Sequence, residues 1–268
     1  MLVVTLFGKR GRWEPPAPRC AFLVSCAGLL PALESEIRTA SGGALEVEVL
    51  EPVRDVDRLP EREIWPYVGL DDDLARRITD AQHDVSLVLA NPGESVADTV
   101  LEATKQASTL AERADGCVDD LFAMRFFGPD TWRVDEPLAE IDVREHVMLH
   151  TVPVEDDGDR FWVHTHGLVK FGRPEFEIYD VPGAMVNGVA IALNDMGQYV
   201  LSGALVSPGE TLGERAVPLH ARLGEREPDH WQDIPVLELV DVDEGGRPVT
   251  SGAERGLRAW WPEHFEEA

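Results

Sequence analysis

The stretch His146-Val-Met-Leu-His150-Thr-Val-Pro-Val-Glu-Asp156-Asp-Gly158-Asp-Arg-Phe-Trp162-Val-His164-Thr-His166 decides how the second half of the chain folds. Two runs of β-branched, aromatic and other apolar residues, 146–154 and 160–166, flank an Asp-Asp-Gly turn signal, which predicts a β-hairpin. Its register depends on the parity of the turn, because a slip of one residue moves every side chain to the other face. A two-residue Asp157-Gly158 loop pairs His150 with Thr165 and separates it from His164 and His166. A three-residue loop Asp156-Asp157-Gly158, a type I turn closed by a left-handed glycine, pairs His150 with His164 and Met148 with His166. The second is favoured because it segregates the strands. One face then carries Val147, Leu149, Thr151, Phe161, Val163 and Thr165, and the other Met148, Trp162 and the histidines 146, 150, 164 and 166.

Outward from the hairpin, the spacing predicts a strand at 176–179, an apolar helix over 184–201 whose Gly188 and Gly197 allow close packing, and a strand at 236–242. The Arg258-Ala-Trp260-Trp261 segment is expected to dock on the core. Upstream, strands are expected at 2–7, 21–25, 44–49 and 85–90, and helices at 29–40 and 71–81. The clearest helix starts at Ser95, a capping residue, with Val96, Val100, Ala103, Ala107, Leu110 and Ala114 on one face. Gly116 stands where a glycine would end it. These elements predict an α+β protein of mixed or antiparallel sheets flanked by helices. Two subdomains are expected: an α/β-type one over 1–134, and an α+β one over 135–268 carrying the hairpin.

The chain has 268 residues, 24 basic and 50 acidic, for a net charge of −26 with 44% hydrophobic residues. That apolar content excludes a disordered tail, and the acidity argues against direct contact with a nucleic-acid phosphate backbone. The acidity is spread along the chain: residues 1–134 hold 14 basic against 23 acidic groups, and 135–268 hold 10 against 27. The three lysines are Lys9, Lys105 and Lys170, so arginine supplies the other 21 positive charges. Cys20, Cys26 and Cys117 are odd in number and form no CxxC, which points to reduced, buried thiols. Met1–Phe7 is too short for a signal h-region, with its basic residues on the wrong side, and the apolar stretches at 20–33 and 181–204 are interrupted by Pro31, Asn187, Asn194 and Asp195. A cytoplasmic protein with no membrane span is expected. No P-loop, GxGxxG, GxSxG or HExxH pattern occurs.

The run from Phe161 to Asp180, FWVHTHGLVKFGRPEFEIYD, resembles a segment of uncharacterised bacterial domains in which Trp-x-His-x-His-Gly is followed by Phe-Gly-x-Pro-acidic-x-Glu. The resemblance covers about forty residues and implies kinship without an assigned chemistry. Read physically, Gly167 and Gly172 allow a tight turn, Pro174 sets the next strand, and Glu175 or Glu177 can pair with Lys170 or Arg173. His164-Thr-His166 also resembles the His-x-His of the JAMM metalloproteases. At the offsets where that family has serine and aspartate, this chain has Pro174 and Glu177, so the oxyanion-stabilising hydroxyl is missing.

Two functional expectations follow. The first is a non-enzymatic, immunity- or adaptor-like protein-binding module without a cofactor, engaging a basic protein partner through its acidic surface. Trp162, Lys170, Arg173, Glu175 and Glu177 are its candidate partner- or ligand-binding residues. The alternative is a metal-dependent hydrolase. Two histidines at i and i+2 on one strand, faced by a third across the ladder, make His150, His164 and His166 a three-nitrogen zinc site, with Glu145 or Glu177 as acid/base or ligand. His83, His220, His230 and His264 are isolated in sequence and read as surface residues.

Overall fold

The computed structural model describes residues 14–28, 31–40, 42–52, 59–129, 141–154, 158–212, 218–225, 228–231 and 233–265. The fold is α+β, with one antiparallel and one mixed sheet. Contacts divide the chain into Pro18–Ile141 and a second unit made of Asp142–Ala268 and the residues before Pro18. The seam expected at 134/135 lies in 130–140, outside the described residues, as does the strand expected at 2–7. No helix among the described residues is long and apolar enough to cross a membrane.

In the first unit β1 (Ala21–Cys26), α1 (Pro31–Ala40) and β2 (Leu45–Leu50) are followed by the short α2 (Trp65–Val68), α3 (Asp72–Thr79) and β3 (His83–Leu89). Then come α4 (Val96–Arg113), β4 (Cys117–Asp120) and β5 (Arg125–Phe127). The strand order is β2-β3-β1-β4-β5 and every pairing is antiparallel. The alternation of strands and helices expected from the sequence is present, yet it does not produce the parallel sheet that an α/β-type unit implies. The crossovers through α1 and α4 join strands that are not neighbours, whereas β3 returns beside β2 and so inserts between β1 and β2, as in a split β-α-β arrangement.

α4 starts as expected, its Ser95 hydroxyl accepting the Asp98 N–H at 3.3 Å, and buries Val100, Ala103, Ala107 and Leu110. Its end differs from expectation: Asp115, not Gly116, takes the left-handed conformation, at φ 48°. Gly116 is needed for space, since a Cβ there would lie 2.2 Å from the Ser25 carbonyl oxygen.

The second unit opens with α5 (Val143–His146) and runs through β6 (Met148–Pro153), β7 (Arg160–His166), β8 (Glu175–Pro182), α6 (Val186–Leu201), β9 (Thr211–Leu212), β10 (Leu219–Leu223), α7 (Pro228–Trp231), β11 (Val236–Asp241) and α8 (Glu254–Trp260). The sheet order is β6-β7-β8-β11-β10-β9, with β8 and β11 parallel and the other pairs antiparallel. The hairpin has the three-residue register, with His150 opposite His164 and Met148 opposite His166. Residues 155–157 lie outside the described residues, but Gly158 is described and is not among the glycines with positive φ, which corrects the left-handed conformation expected of it.

One face of this sheet is the core. Val163, Phe176, Ile178, Leu237 and Leu239 are covered by Val189, Leu193, Met196 and Val200 of α6. Gly188 and Gly197 allow that approach, because a Cβ would lie 2.4 Å from the Phe265 ring at 188 and 2.8 Å from Val143 Cγ2 at 197. Trp260 and Trp261 pack against the same core, as expected, and the Trp261 indole N–H donates to Asp195 at 2.9 Å. β8 carries a bulge: two of its residues, Tyr179 and Asp180, oppose Trp162, and Asp180 is left-handed at φ 64°.

Candidate metal centre

The other face of the second sheet is polar within a fold that buries it. A row of facing residues crosses four strands: His150 on β6, His164 on β7, Glu177 on β8 and Glu238 on β11. His164 and Glu177 are fully buried. Strand alternation explains why His166 and Trp162, two residues either side of His164, share this face.

His146 does not join them. Asp142 accepts the Arg144 N–H at 3.0 Å and caps a helical turn over Val143–His146, so the strand begins at Met148 instead of His146. The His146 ring packs edge-on against Phe171, with centroids 5.6 Å apart.

His230, read from the sequence as a surface residue, takes its place. α7 lays His230 and Trp231 over the polar face, and the Nε2 atoms of His166 and His230 are 2.9 Å apart. The ring centroids of His230 lie 4.9 Å from His164 and 5.0 Å from His166. Trp162 stacks on His164 at 3.8 Å, while Trp231 lies 5.2 Å from both His164 and His166. Trp162, Trp231 and Val236 form a small buried cluster of their own. The one signal for His230 in the sequence was its neighbour Trp231, an indole that needs cover within an otherwise polar segment.

Among the described residues, one group of three or more potential ligands converges. His150, His164 and His166 each offer a ring nitrogen, and these nitrogens lie within 4.8 Å of one another. Nitrogens bound tetrahedrally to one zinc at 2.0–2.1 Å sit about 3.4 Å apart, so small side-chain rotations bring this group to bonding distance. Burial holds all three imidazoles neutral. It lowers the His150 pKa to about 4, with His230 adding to the effect, and it lowers His164 and His166 further, with the neighbouring imidazoles contributing. Neutral imidazole is the metal-binding form.

His164 has a further property. It is fully buried, and among the described residues neither of its ring nitrogens has a hydrogen-bond partner. A neutral imidazole carries one donor and one acceptor, and leaving each unsatisfied in the interior costs about 1–3 kcal/mol. An ion at the centre of the cluster would satisfy one of them.

The candidate contact residues have other duties. Glu175 is buried and closes the turn that follows β7: its Oε1 accepts the N–H groups of Gly167 and Val169 at 2.9 and 3.0 Å, and its Oε2 accepts the Thr165 hydroxyl at 2.7 Å. Gly167 and Gly172 bound that turn with φ of 118° and 67°, as their spacing predicted. Burial outweighs these hydrogen bonds and raises the Glu175 pKa to about 7. Glu177 Oε2 accepts the Trp162 indole N–H at 2.9 Å. Lys170 is fully buried within the 3-10 turn Leu168–Phe171, and Arg173 is half-buried. Trp162, Lys170, Glu175 and Glu177 are therefore interior groups, which argues against their touching a protein partner directly. The conspicuous HTHGLVKFGRPEFE run builds a buried turn as well as presenting two imidazoles.

Glu177 stands outside the converging ligand group, so the ligand set implied by the metalloprotease resemblance is not assembled. No family model, curated protein or solved structure matches the chain.

Proposed function

We propose that the second unit is a metal-binding domain that holds one transition-metal ion on His150, His164 and His166, with the His230 imidazole packed over them. The observation that carries this reading is His164: a fully buried ring with two unpartnered nitrogens, surrounded by three further imidazoles. Nitrogen ligands of this kind suit zinc, copper and nickel. His230 and the two indoles favour a held ion over hydrolytic chemistry, because a catalytic zinc keeps one position open to water.

Elemental analysis of the purified chain after incubation with zinc and copper salts and gel filtration tests the reading. One equivalent of metal per chain is expected, lost in His164→Ala plus His166→Ala. Metal-free wild-type protein after both incubations overturns it. Partner binding through the acidic surface is a separate reading supported by the net charge of −26. It predicts a salt-sensitive partner recovered from the native lysate at low ionic strength.

A further inference from the structure

Metal selection is written in the atoms next to the imidazoles. Met148 lies on the histidine face, directly across the ladder from His166, and is 8% exposed. Its Sδ is 3.1 Å from His150 Nε2. Thioether sulfur is a weak hydrogen-bond acceptor, so this pairing does little for the imidazole by itself. The two atoms are, however, close to the roughly 3.5 Å that separates a nitrogen and a sulfur bound to one metal at about 2.0 and 2.3 Å.

We propose that the ion this site selects is monovalent copper, held by the three hairpin imidazoles with Met148 Sδ as the soft ligand. This rests on metal binding at the imidazole cluster. Three properties of the site point to Cu(I) over Zn(II). Thioether ligands favour Cu(I), whereas zinc prefers imidazole, thiolate and carboxylate. The converging donors, His150, His164 and His166, are all neutral, as is Met148, so the ion's charge is not offset by its own ligands. The cost of burying charge grows with its square, so a monovalent ion is far less penalised there than a divalent one. Finally, the indoles of Trp162 and Trp231 pack on His164 and His166 and present π faces and apolar edges where a strongly hydrated divalent ion would keep water.

The test uses the full chain under anaerobic, reducing conditions. Cu(I) affinity is measured by competition with a chromophoric Cu(I) chelator, and Zn(II) affinity by competition with a zinc-responsive dye. Met148→Leu conserves side-chain volume, and its fold is checked by circular dichroism. The expected result is a loss of Cu(I) affinity of at least about tenfold, the scale on which individual groups tune metal sites, with Zn(II) affinity unchanged. X-ray absorption of the Cu(I)-loaded wild type should show a sulfur scatterer at about 2.3 Å. Equal loss for both ions, no loss for Cu(I), or a nitrogen-only shell overturns copper selection while leaving metal binding standing. Failure of wild type to bind either ion overturns the metal reading itself.

Discussion

Replacing His164 by leucine should stabilise the metal-free protein, the reverse of what an ordinary core substitution does. His164 sits at zero exposure with two unpartnered ring nitrogens. Leucine removes both, each costing about 1–3 kcal/mol while buried and unsatisfied. Against this stand the lost stacking on Trp162, at most about 1.5 kcal/mol, and an imperfect shape match of about 1 kcal/mol. With both losses at their full size the net runs from about zero to a gain of about 3.5 kcal/mol. Urea unfolding with a chelator present, at a pH near 8 where the imidazoles are neutral in both states, measures it; tryptophan fluorescence reports largely on the second unit, which holds Trp162, Trp231, Trp260 and Trp261. Metal at one hundred times its Kd should then add about 2.7 kcal/mol to the wild type and nothing to the variant. A metal-free variant less stable than wild type by 1 kcal/mol or more would refute the reasoning, since the ring would then be an ordinary satisfied part of the core.

The metal-free protein should lose stability as pH falls from about 6.5 toward 4. The folded-state pKa values of His150, His164 and His166 lie below that of an unfolded histidine, so the unfolded chain binds more protons in this window. Each group contributes a slope of up to about 1.4 kcal/mol per pH unit. Glu175 acts oppositely: its raised pKa, about 7, makes stability fall as pH rises from about 4.5 to 7, so Glu175→Gln should steepen the acid-side loss seen in urea titrations at stepped pH. Glu175→Ala, which strands the N–H groups of Gly167 and Val169, should cost about 2–5 kcal/mol by the same measurement, whereas glutamine can still accept from both. Gly188→Ala drives a Cβ to 2.4 Å from the Phe265 ring; a loss of about 1–3 kcal/mol is expected in chemical denaturation, and no loss would show that this helix contact gives way freely.

The hairpin was legible in the sequence because its determinants are local. Period-two alternation, which segregates the apolar residues from the histidines, selected the register in which His150 faces His164, and the structure has that register. The capped start of α4 was legible for the same reason, resting on neighbours within one turn, whereas the glycines of α6 make room for Phe265 and Val143, which lie far along the chain. Non-local pairing was not legible. Strand-helix alternation is the same whether a crossover returns to the adjacent strand or skips one, so the antiparallel order of the first sheet came from tertiary packing. His146 was misplaced because Asp142 caps a helical turn over Val143–His146 that competes with strand extension. The sequence by itself determined three imidazoles on one face of one hairpin. That this face is buried, that Met148 Sδ meets His150, and that His230, 64 residues beyond His166, closes over the cluster were decided only when the chain folded, because burial is a property of what covers a strand and not of the strand.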